Sequence, residues 1–363
     1  MERMSIGQTA RMSRKWATAA VVACTLLLAA CGGSSSTGST KVGVALILKN
    51  FTNPFFVSMQ NDAKAEAAKV GVTLTVSAGT KDGDVATQIT SIENAISAGN
   101  KGILITPNGP GVNASITKAR AAGLYVIALD TPPDPPSTVD ITFATDNLQA
   151  GVLIGKWAAA QLAGKKATIA MLDLFNNQIV SVDVNRDHGF LQGMGINFGT
   201  PTKNGGEAST GQYSGGAYQV ICHEPTQGAE DGGRTAMETC LSKASNINVV
   251  YTINEPAAAG AYKALTAAGK TGVLIVSVDG GCAGVDNVRK GVIGATSQQY
   301  PGRMAKLGVD AINDLVLKGT KPAVSTGLDF YSTGVQLITD KTVSGLDSAT
   351  SAQGATTCWG TVS

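Results

Sequence analysis

The sequence predicts an α/β protein built from two doubly wound, parallel-sheet lobes. Three observations carry that expectation. Short runs of β-branched and aliphatic residues alternate with alanine-rich stretches, the alternation restarts midway, and glycines punctuate the ends of the alanine-rich stretches. Nearly continuous apolar runs are what parallel strands need when helices cover both of their faces.

The series opens at residue 41 with "KVGVALIL", followed by the helical pattern "FFVSMQNDAKAEAAKVG". It continues through "VTLTVSAG", "VATQITSIENAISAG", "KGILITP", "NASITKARAAG", "LYVIALD", "ITFATDN" and "AGVLIGKWAAAQLAG". Gly71, Gly99, Gly123, Gly164 and Gly269 stand where left-handed helix caps are expected. The rhythm then restarts with "KATIAML", a loop, "DHGFLQGMGIN", "AYQVICHE", "RTAMETCLSKAS", "NINVVYTIN", "AAAGAYKALTAAG", "TGVLIVSVDG", "GVDNVRKG" and "VIGATSQQYP". Two β/α series of similar size imply two lobes, each wound about its own sheet.

The chain before this region reads as processing and tether. Arg3, Arg11, Arg14 and Lys15 precede the apolar run "WATAAVVACTLLLAA", which is too short to span a bilayer comfortably and ends in small residues. Residues 1–30 are therefore expected to be a signal peptide. "LAAC" resembles the lipobox of bacterial lipoproteins, which implies lipidation of Cys31 and a membrane anchor; a plain cleavable signal is the alternative. "GGSSSTGST" is a flexible tether, residues 31–40 together with Cys31. The leader contains four of the chain's 28 basic residues and one of its 26 acidic residues, so its loss leaves a net charge of about −1. That balance, with no basic stripe, argues against nucleic acid as a partner.

Export also frames the cysteines. Cys24 leaves with the leader and Cys31 is given to lipid, so Cys222, Cys240, Cys282 and Cys358 remain. An even number in an oxidising compartment suggests two disulfides, and sequence order favours Cys222–Cys240 and Cys282–Cys358. No metal site is expected. There is no Cys-x-x-Cys, and the only histidines are His188 and His223. His223 sits beside Cys222, and His188 falls where "NRDHGF" is expected to open a helix; both read as structural.

In doubly wound sheets, ligands bind beyond the carboxyl ends of the strands. The loops there carry Lys49, Asn50, Asn53, Phe55 and Phe56 after the first strand, then Asp130, Asp146-Asn147, Asn254-Glu255, Asp279 and Gln298-Gln299. Any one of these residues suits a helix cap or a turn. As a set around one crevice, they offer the acceptors and amides that match vicinal hydroxyls, with flat rings for a sugar's C–H face. No G-x-G-x-x-G follows the first strand, and no phosphate loop or nucleophile elbow occurs. No cofactor is implied. Asp130, Asp279 and Glu255 keep open a reading of a different class, an exported glycoside hydrolase.

The segments "NPFFVSM", "IALDTPP", "FATDN", "YTINEPAAAGAYKAL", "VSVDGG" and "ATSQQYP" resemble, in order, the signatures of ribose-type periplasmic sugar-binding proteins. "YTINEPAAAGAY", the cysteine-framed segment and "CWG" are most similar to the fructose-binding members. The resemblance runs from about Lys41 to about Thr339. It implies the type I periplasmic binding protein fold with a three-segment hinge at Thr145-Asp146, Gln299-Tyr300 and near Phe330-Tyr331. The first lobe is then expected over 41–145 and 300–330, and the second over 146–299 and 331–363.

The resemblance also implies ligand contacts by Asn53, Phe55, Phe56, Asp130, Asn254, Asp279 and Gln299. Departures stand beside these matches. Thr131 occupies a position that is Arg in ribose binders, and Arg186 matches the Arg of the R-x-x-G-F-like segment while the usual ligand position falls at Val184. The second-lobe aromatic is replaced around Thr226-Gln227. Without those Arg donors a sugar other than ribose is expected, fructose first, with Lys49, Asp183, Asn185 and Gln227 as candidate substitutes. The implied role is that of a monomeric capture protein. It would deliver a monosaccharide to the membrane permease of an ATP-driven importer, with no reaction on the ligand; a sugar sensor for a membrane receptor is the alternative.

Overall fold

The computed structural model describes residues 41–362; the leader, Cys31 and the tether lie outside the described residues. The apolar runs of the first half become β1 (Gly43–Leu48), β2 (Thr73–Ala78), β3 (Gly102–Ile105), β4 (Tyr125–Leu129) and β5 (Ile141–Ala144). Those of the second half become β6 (Ala167–Asp173), β8 (Gly216–Pro225), β9 (Val249–Thr252), β10 (Leu274–Asp279) and β11 (Ala295–Gln298), and an unpredicted, mostly exposed strand β7 (Thr210–Tyr213) precedes β8. Two short strands follow, β12 (Tyr331–Ser332) and β13 (Gln336–Ile338).

The intervening helices are α1 (Pro54–Val70), α2 (Val85–Ser97), α3 (Asn113–Ala121), α4 (Asn147–Leu162) and α5 (Ser181–Met194). After them come α6 (Glu230–Lys243), α7 (Glu255–Ala267), α8 (Cys282–Arg289), α9 (Pro301–Lys318) and the single turn α10 (Ser351–Gly354). Gly71 takes φ 77° and ends α1 in the left-handed conformation that a Cβ would disfavour. Among the described residues no helix is long and apolar enough to cross a membrane.

Two sheets result, with strand orders β12-β5-β4-β3-β1-β2 and β13-β11-β10-β9-β6-β8-β7. All pairings are parallel except β7 with β8 and β11 with β13, which are antiparallel. β3, β5, β6 and β9 are buried along their whole length, and β4 along all but its first residue, because helices cover both faces of each sheet. The helix α9 returns to the first sheet, where Met304, Ala305, Val309 and Ile312 join the core of Leu46, Leu104 and Leu129. Trp157, Phe190, Met171 and Tyr251 anchor the core on one face of the second sheet.

The chain crosses between sheets three times. It does so after Ala144, after Gln298, and between Ser332, still paired with β5, and Gln336, paired with β11. The third crossing thus falls at 333–335, a few residues beyond the expected Phe330-Tyr331, because Tyr331 and Ser332 extend the first sheet's edge. Cys222 is bonded to Cys240 and Cys282 to Cys358. The second bond ties the C-terminal segment to the start of α8.

One element differs in a way that matters for the site. The segment "SVDVN", read from sequence as a loop, forms the first turns of α5, so His188 lies mid-helix and does not open it. In a helix, residues four apart share a side. Val182 and Arg186 therefore face one way, and Asp183 and Asp187 another.

Candidate functional site

The carboxyl ends of both sheets face a common cleft. Its walls are Lys49, Asn53, Phe55, Phe56, Asp82 and Asp130 from the first sheet, and Leu174, Val182, Arg186, Ile253, Asn254, Asp279 and Gln299 from the second or the hinge. Phe55 and Phe56 meet edge to face with centroids 5.2 Å apart. Both are 3% exposed and join the first lobe's core, so they serve core and cleft at once. The opposite wall is aliphatic, made by Leu174, Val182 and Ile253. Both apolar surfaces line the cleft beside its polar groups.

Polar groups are held in place by their own elements. Asn53 Oδ1 accepts from Phe55 N at 3.0 Å, and Asn254 Oδ1 accepts from Ala257 N at 3.1 Å. Each asparagine is therefore a helix cap and also a cleft residue, and the two readings available from sequence are both correct. Gln299 links the hinge to the site: its Nε2 donates to Asp279 Oδ1 at 2.8 Å, and its Oε1 accepts from Thr145 Oγ1 at 3.1 Å. Asp130, directly after β4, and Asp279, the last residue of β10, take φ 65° and 144°, conformations that non-glycine residues rarely adopt. Such strain at two strand ends marks a position maintained for what the side chains face.

The electrostatic centre is Arg186. Its Nη2 lies 4.0 Å from Asp130 Oδ1 and its Nη1 3.9 Å from Asp279 Oδ1, so it stands between carboxylates from the two sheets. Its Nε donates to Asn147 Oδ1 at 2.7 Å and its Nη1 to the Ile253 carbonyl at 2.9 Å, which fixes the guanidinium. Lys49 Nζ lies 3.9 Å from Asp130 Oδ2 and 5.9 Å from the centre of the Phe56 ring. Separations near 4 Å exceed hydrogen-bond range, so these cations do not take the carboxylates' lone pairs. Asp130 Oδ2 accepts from Thr131 Oγ1 at 2.7 Å and Asp279 Oδ1 from Gln299, and the remaining lone pairs can accept from a ligand's hydroxyls.

Several expectations need correction. Asp183 faces away from the cleft; its oxygens accept from Leu174 N at 2.9 Å and Phe175 N at 3.3 Å. Neither Asn185 nor Gln227 lines the cleft. Gln227 sits on a turn at φ 54°, in the outer groove beside Asn50, Glu255 and Trp359. The cleft does not lack an arginine either, because Arg186 enters it from the helix face opposite Asp183. Asp82 went unread, although it follows β2 and the strand-end rule applies to it equally. Trp359 was also missed as a neighbour; its ring packs edge-on to Phe55 at 5.2 Å, and its Nε1 donates to the Gln299 carbonyl at 2.8 Å.

Glu255 is committed elsewhere. It accepts from Gly280 N, Gly281 N and Thr296 Oγ1 at 2.9, 3.0 and 2.8 Å. Both its oxygens hold the β10–α8 turn, so it is not free to act as acid or base on a ligand.

Burial raises several of these carboxyls. Desolvation, then the neighbouring Asp279 charge, pushes Glu255 up to about 8. Desolvation pushes Asp279 up to about 6, against the opposing pull of Arg186. Asp183 rises to about 7 through desolvation and the nearby Asp173. A raised carboxyl pKa means that the folded chain binds protons more tightly than the unfolded one between the ordinary carboxyl range and the raised value. Stability is therefore expected to fall as pH rises through that window. The ligand-free, chelator-treated protein should melt at a higher temperature at about pH 5 than at about pH 8. A melting temperature equal or higher at the upper pH would show that these groups ionise without cost.

The profile of the periplasmic binding protein domain family matches residues 44–321. A ribose import binding protein of Salmonella typhimurium is 28% identical over 288 residues, covering 79% of this chain and 88% of that one. A D-allose-binding periplasmic protein of Escherichia coli is 25% identical over 284 residues, covering 76% and 85%. Among solved structures, an ABC transporter solute-binding protein of Mycobacterium smegmatis with bound glycerol superposes with a TM-score of 0.71 at 22% identity. That match covers 89% of this chain and 98% of the other. A periplasmic solute-binding protein of Actinobacillus succinogenes with bound D-allose gives 0.69 at 22% identity, covering 82% and 98%.

Proposed function

Because the chain belongs to the periplasmic binding protein domain family, we propose that it is the exported solute-binding component of an ATP-driven importer and captures a monosaccharide in the cleft. The observation that carries this reading is the cleft itself. Carboxylates from both sheets converge on one guanidinium, between a pair of phenylalanine rings and an aliphatic wall. Such a site binds hydroxyls by charge-assisted hydrogen bonds and buries the C–H face of a ring. The relatives named for ribose and D-allose support a monosaccharide.

In this reading Asn53, Phe55, Phe56, Asp82, Asp130 and Lys49 form the first half-site, and Arg186, Asn254 and Asp279 the second. Gln299 couples the hinge to Asp279. Sugar stabilises the closed arrangement by bridging both halves, and the closed form docks on the membrane permease. The ligand leaves unchanged. Fructose is the first candidate, from the similarity of "YTINEPAAAGAY" and "CWG" to fructose-binding members. Lipidation at Cys31 anchors the monomeric protein to the membrane.

A thermal-shift screen of the mature chain over fructose, ribose, D-allose, other pentoses and hexoses, and polyols tests the proposal. One sugar is expected to raise the melting temperature, and Asp130→Asn should reduce that shift to near zero by removing the charge from its hydrogen bonds. A shift unchanged in Asp130→Asn would remove this cleft as the site. Formation of product from a glycoside would replace a binding protein with an enzyme.

A further inference from the structure

A second polar cluster lies in the second lobe, behind the cleft wall and unused by it. Asp173 ends β6, Asp187 lies on α5, His223 lies on β8, and Glu207 precedes β7. His223 Nδ1 is 2.7 Å from Asp173 Oδ2 and 3.7 Å from Asp187 Oδ2, and its Nε2 is 2.7 Å from Glu207 Oε1. The three ligand atoms offered by Asp173, Asp187 and His223 lie within 4.8 Å of one another.

The hydrogen bonding of this cluster is incomplete. Asp187 is 0% exposed, and neither of its carboxylate oxygens has a hydrogen-bond partner among the described residues. Asp173 Oδ1, Glu207 Oε2 and the fully buried Tyr251 hydroxyl are also unpartnered there. A buried carboxylate without donors is among the costliest arrangements in a protein interior. One imidazolium cannot compensate Asp173, Asp187 and Glu207 together. A divalent cation supplies the missing charge and takes lone pairs that nothing else uses.

The donor set narrows the choice of ion. Calcium and magnesium favour all-oxygen shells, whereas imidazole combined with carboxylates suits zinc and its first-row neighbours. Bonds of roughly 2.0–2.2 Å to zinc allow one ion to bridge the 3.7 Å between His223 Nδ1 and Asp187 Oδ2. Glu207 on the far ring nitrogen provides the carboxylate that orients a metal-ligating histidine. The His223 side chain keeps 23% exposure, which gives the ion an access route.

We propose that Asp173, Asp187 and His223 bind one divalent transition-metal ion of the zinc type, with Glu207 orienting the imidazole. Without the ion, His223 Nδ1 and Nε2 are hydrogen-bonded to Asp173 Oδ2 and Glu207 Oε1, each at 2.7 Å. Metal binding replaces the Nδ1–H bond with an Nδ1–metal bond, and that proton passes to solvent. The ion then ties α5 to β6 and β8, in the lobe that presents Arg186. This proposal departs from the sequence expectation of no metal; its ligands are 14 and 36 residues apart in sequence and meet only through the sheet.

The test uses tag-free mature protein, stripped with chelator and titrated with zinc chloride. Elemental analysis is expected to give one zinc per chain, and calorimetry in buffers of different ionisation enthalpy should show at least one proton released. Asp187→Asn and His223→Gln should each weaken zinc binding at least tenfold, and Glu207→Gln by about 10- to 100-fold. Asp187→Asn removes an unpaired charge without changing shape, so circular dichroism should show it folded. No zinc uptake by the stripped wild-type protein would overturn the proposal and mean that the cluster neutralises itself by protonation. Uptake undiminished in both Asp187→Asn and His223→Gln would overturn it as well, by placing the ion elsewhere.

Discussion

Arg186→Ala is expected to abolish sugar-dependent thermal stabilisation and to lower the stability of the ligand-free protein by about 3 kcal/mol or more. The guanidinium is buried and stands within 4.0 Å of both Asp130 and Asp279. Removing it leaves two carboxylates from opposite lobes in one poorly solvated cleft, with Lys49, 3.9 Å from Asp130, as the remaining nearby cation among the described residues. The Asn147 side chain and the Ile253 carbonyl lose their donors at the same time. Unpaired buried charge is the mechanism that makes single substitutions severe. Arg186→Lys restores the charge but not the planar fork, so an intermediate loss is expected. Urea unfolding measures the first effect and calorimetric sugar titration the second. Full sugar binding by Arg186→Ala would remove the residue from the site.

Gly155→Val should destabilise the fold by about 3 kcal/mol or more, for a steric reason. The helices α4 and α5 meet through paired glycines, Gly151 and Gly155 on one and Gly189 and Gly193 on the other. A Cβ at Gly155 would stand 2.2 Å from the Phe190 carbonyl oxygen, and one at Gly189 would stand 2.2 Å from the Leu148 carbonyl oxygen. These neighbours are backbone, which cannot rotate aside, so any side chain forces the helices apart. Separation moves α5 and with it Arg186, while α4 begins directly after the first hinge crossing. Weaker sugar binding should therefore accompany the lower melting temperature. An unchanged melting temperature would contradict the close approach of the two backbones.

Much of the cleft was legible because strand ends are local events. An apolar run followed by Asp, Asn or Gln identifies a strand's carboxyl end without knowledge of the rest of the chain. The loops read in this way contained Lys49, Asn53, Phe55, Phe56, Asp130, Asn254, Asp279 and Gln299, and the structure gathers all of them around one cleft. The same rule applied to the loop after β2 points to Asp82, which also lines the cleft. Arg186 and Asp183 were misplaced for a different reason. Taking "SVDVN" as a loop hid the 100° rotation per residue that turns Arg186 toward the cleft and Asp183 and Asp187 away from it.

By itself the sequence determined the alternation of strands and helices, the division into two series, and the loops in which to look. These follow from hydrophobic periodicity and turn chemistry, which act over a few residues. Only the tertiary structure decided which groups share a charge environment. It set Arg186 between Asp130 and Asp279, folded Trp359 back onto Phe55, and placed His223 against Asp173 and Asp187. Those contacts depend on sheet order and on the side a helix turns toward its neighbours. Both are set by packing between segments far apart in the chain, and no local pattern encodes them.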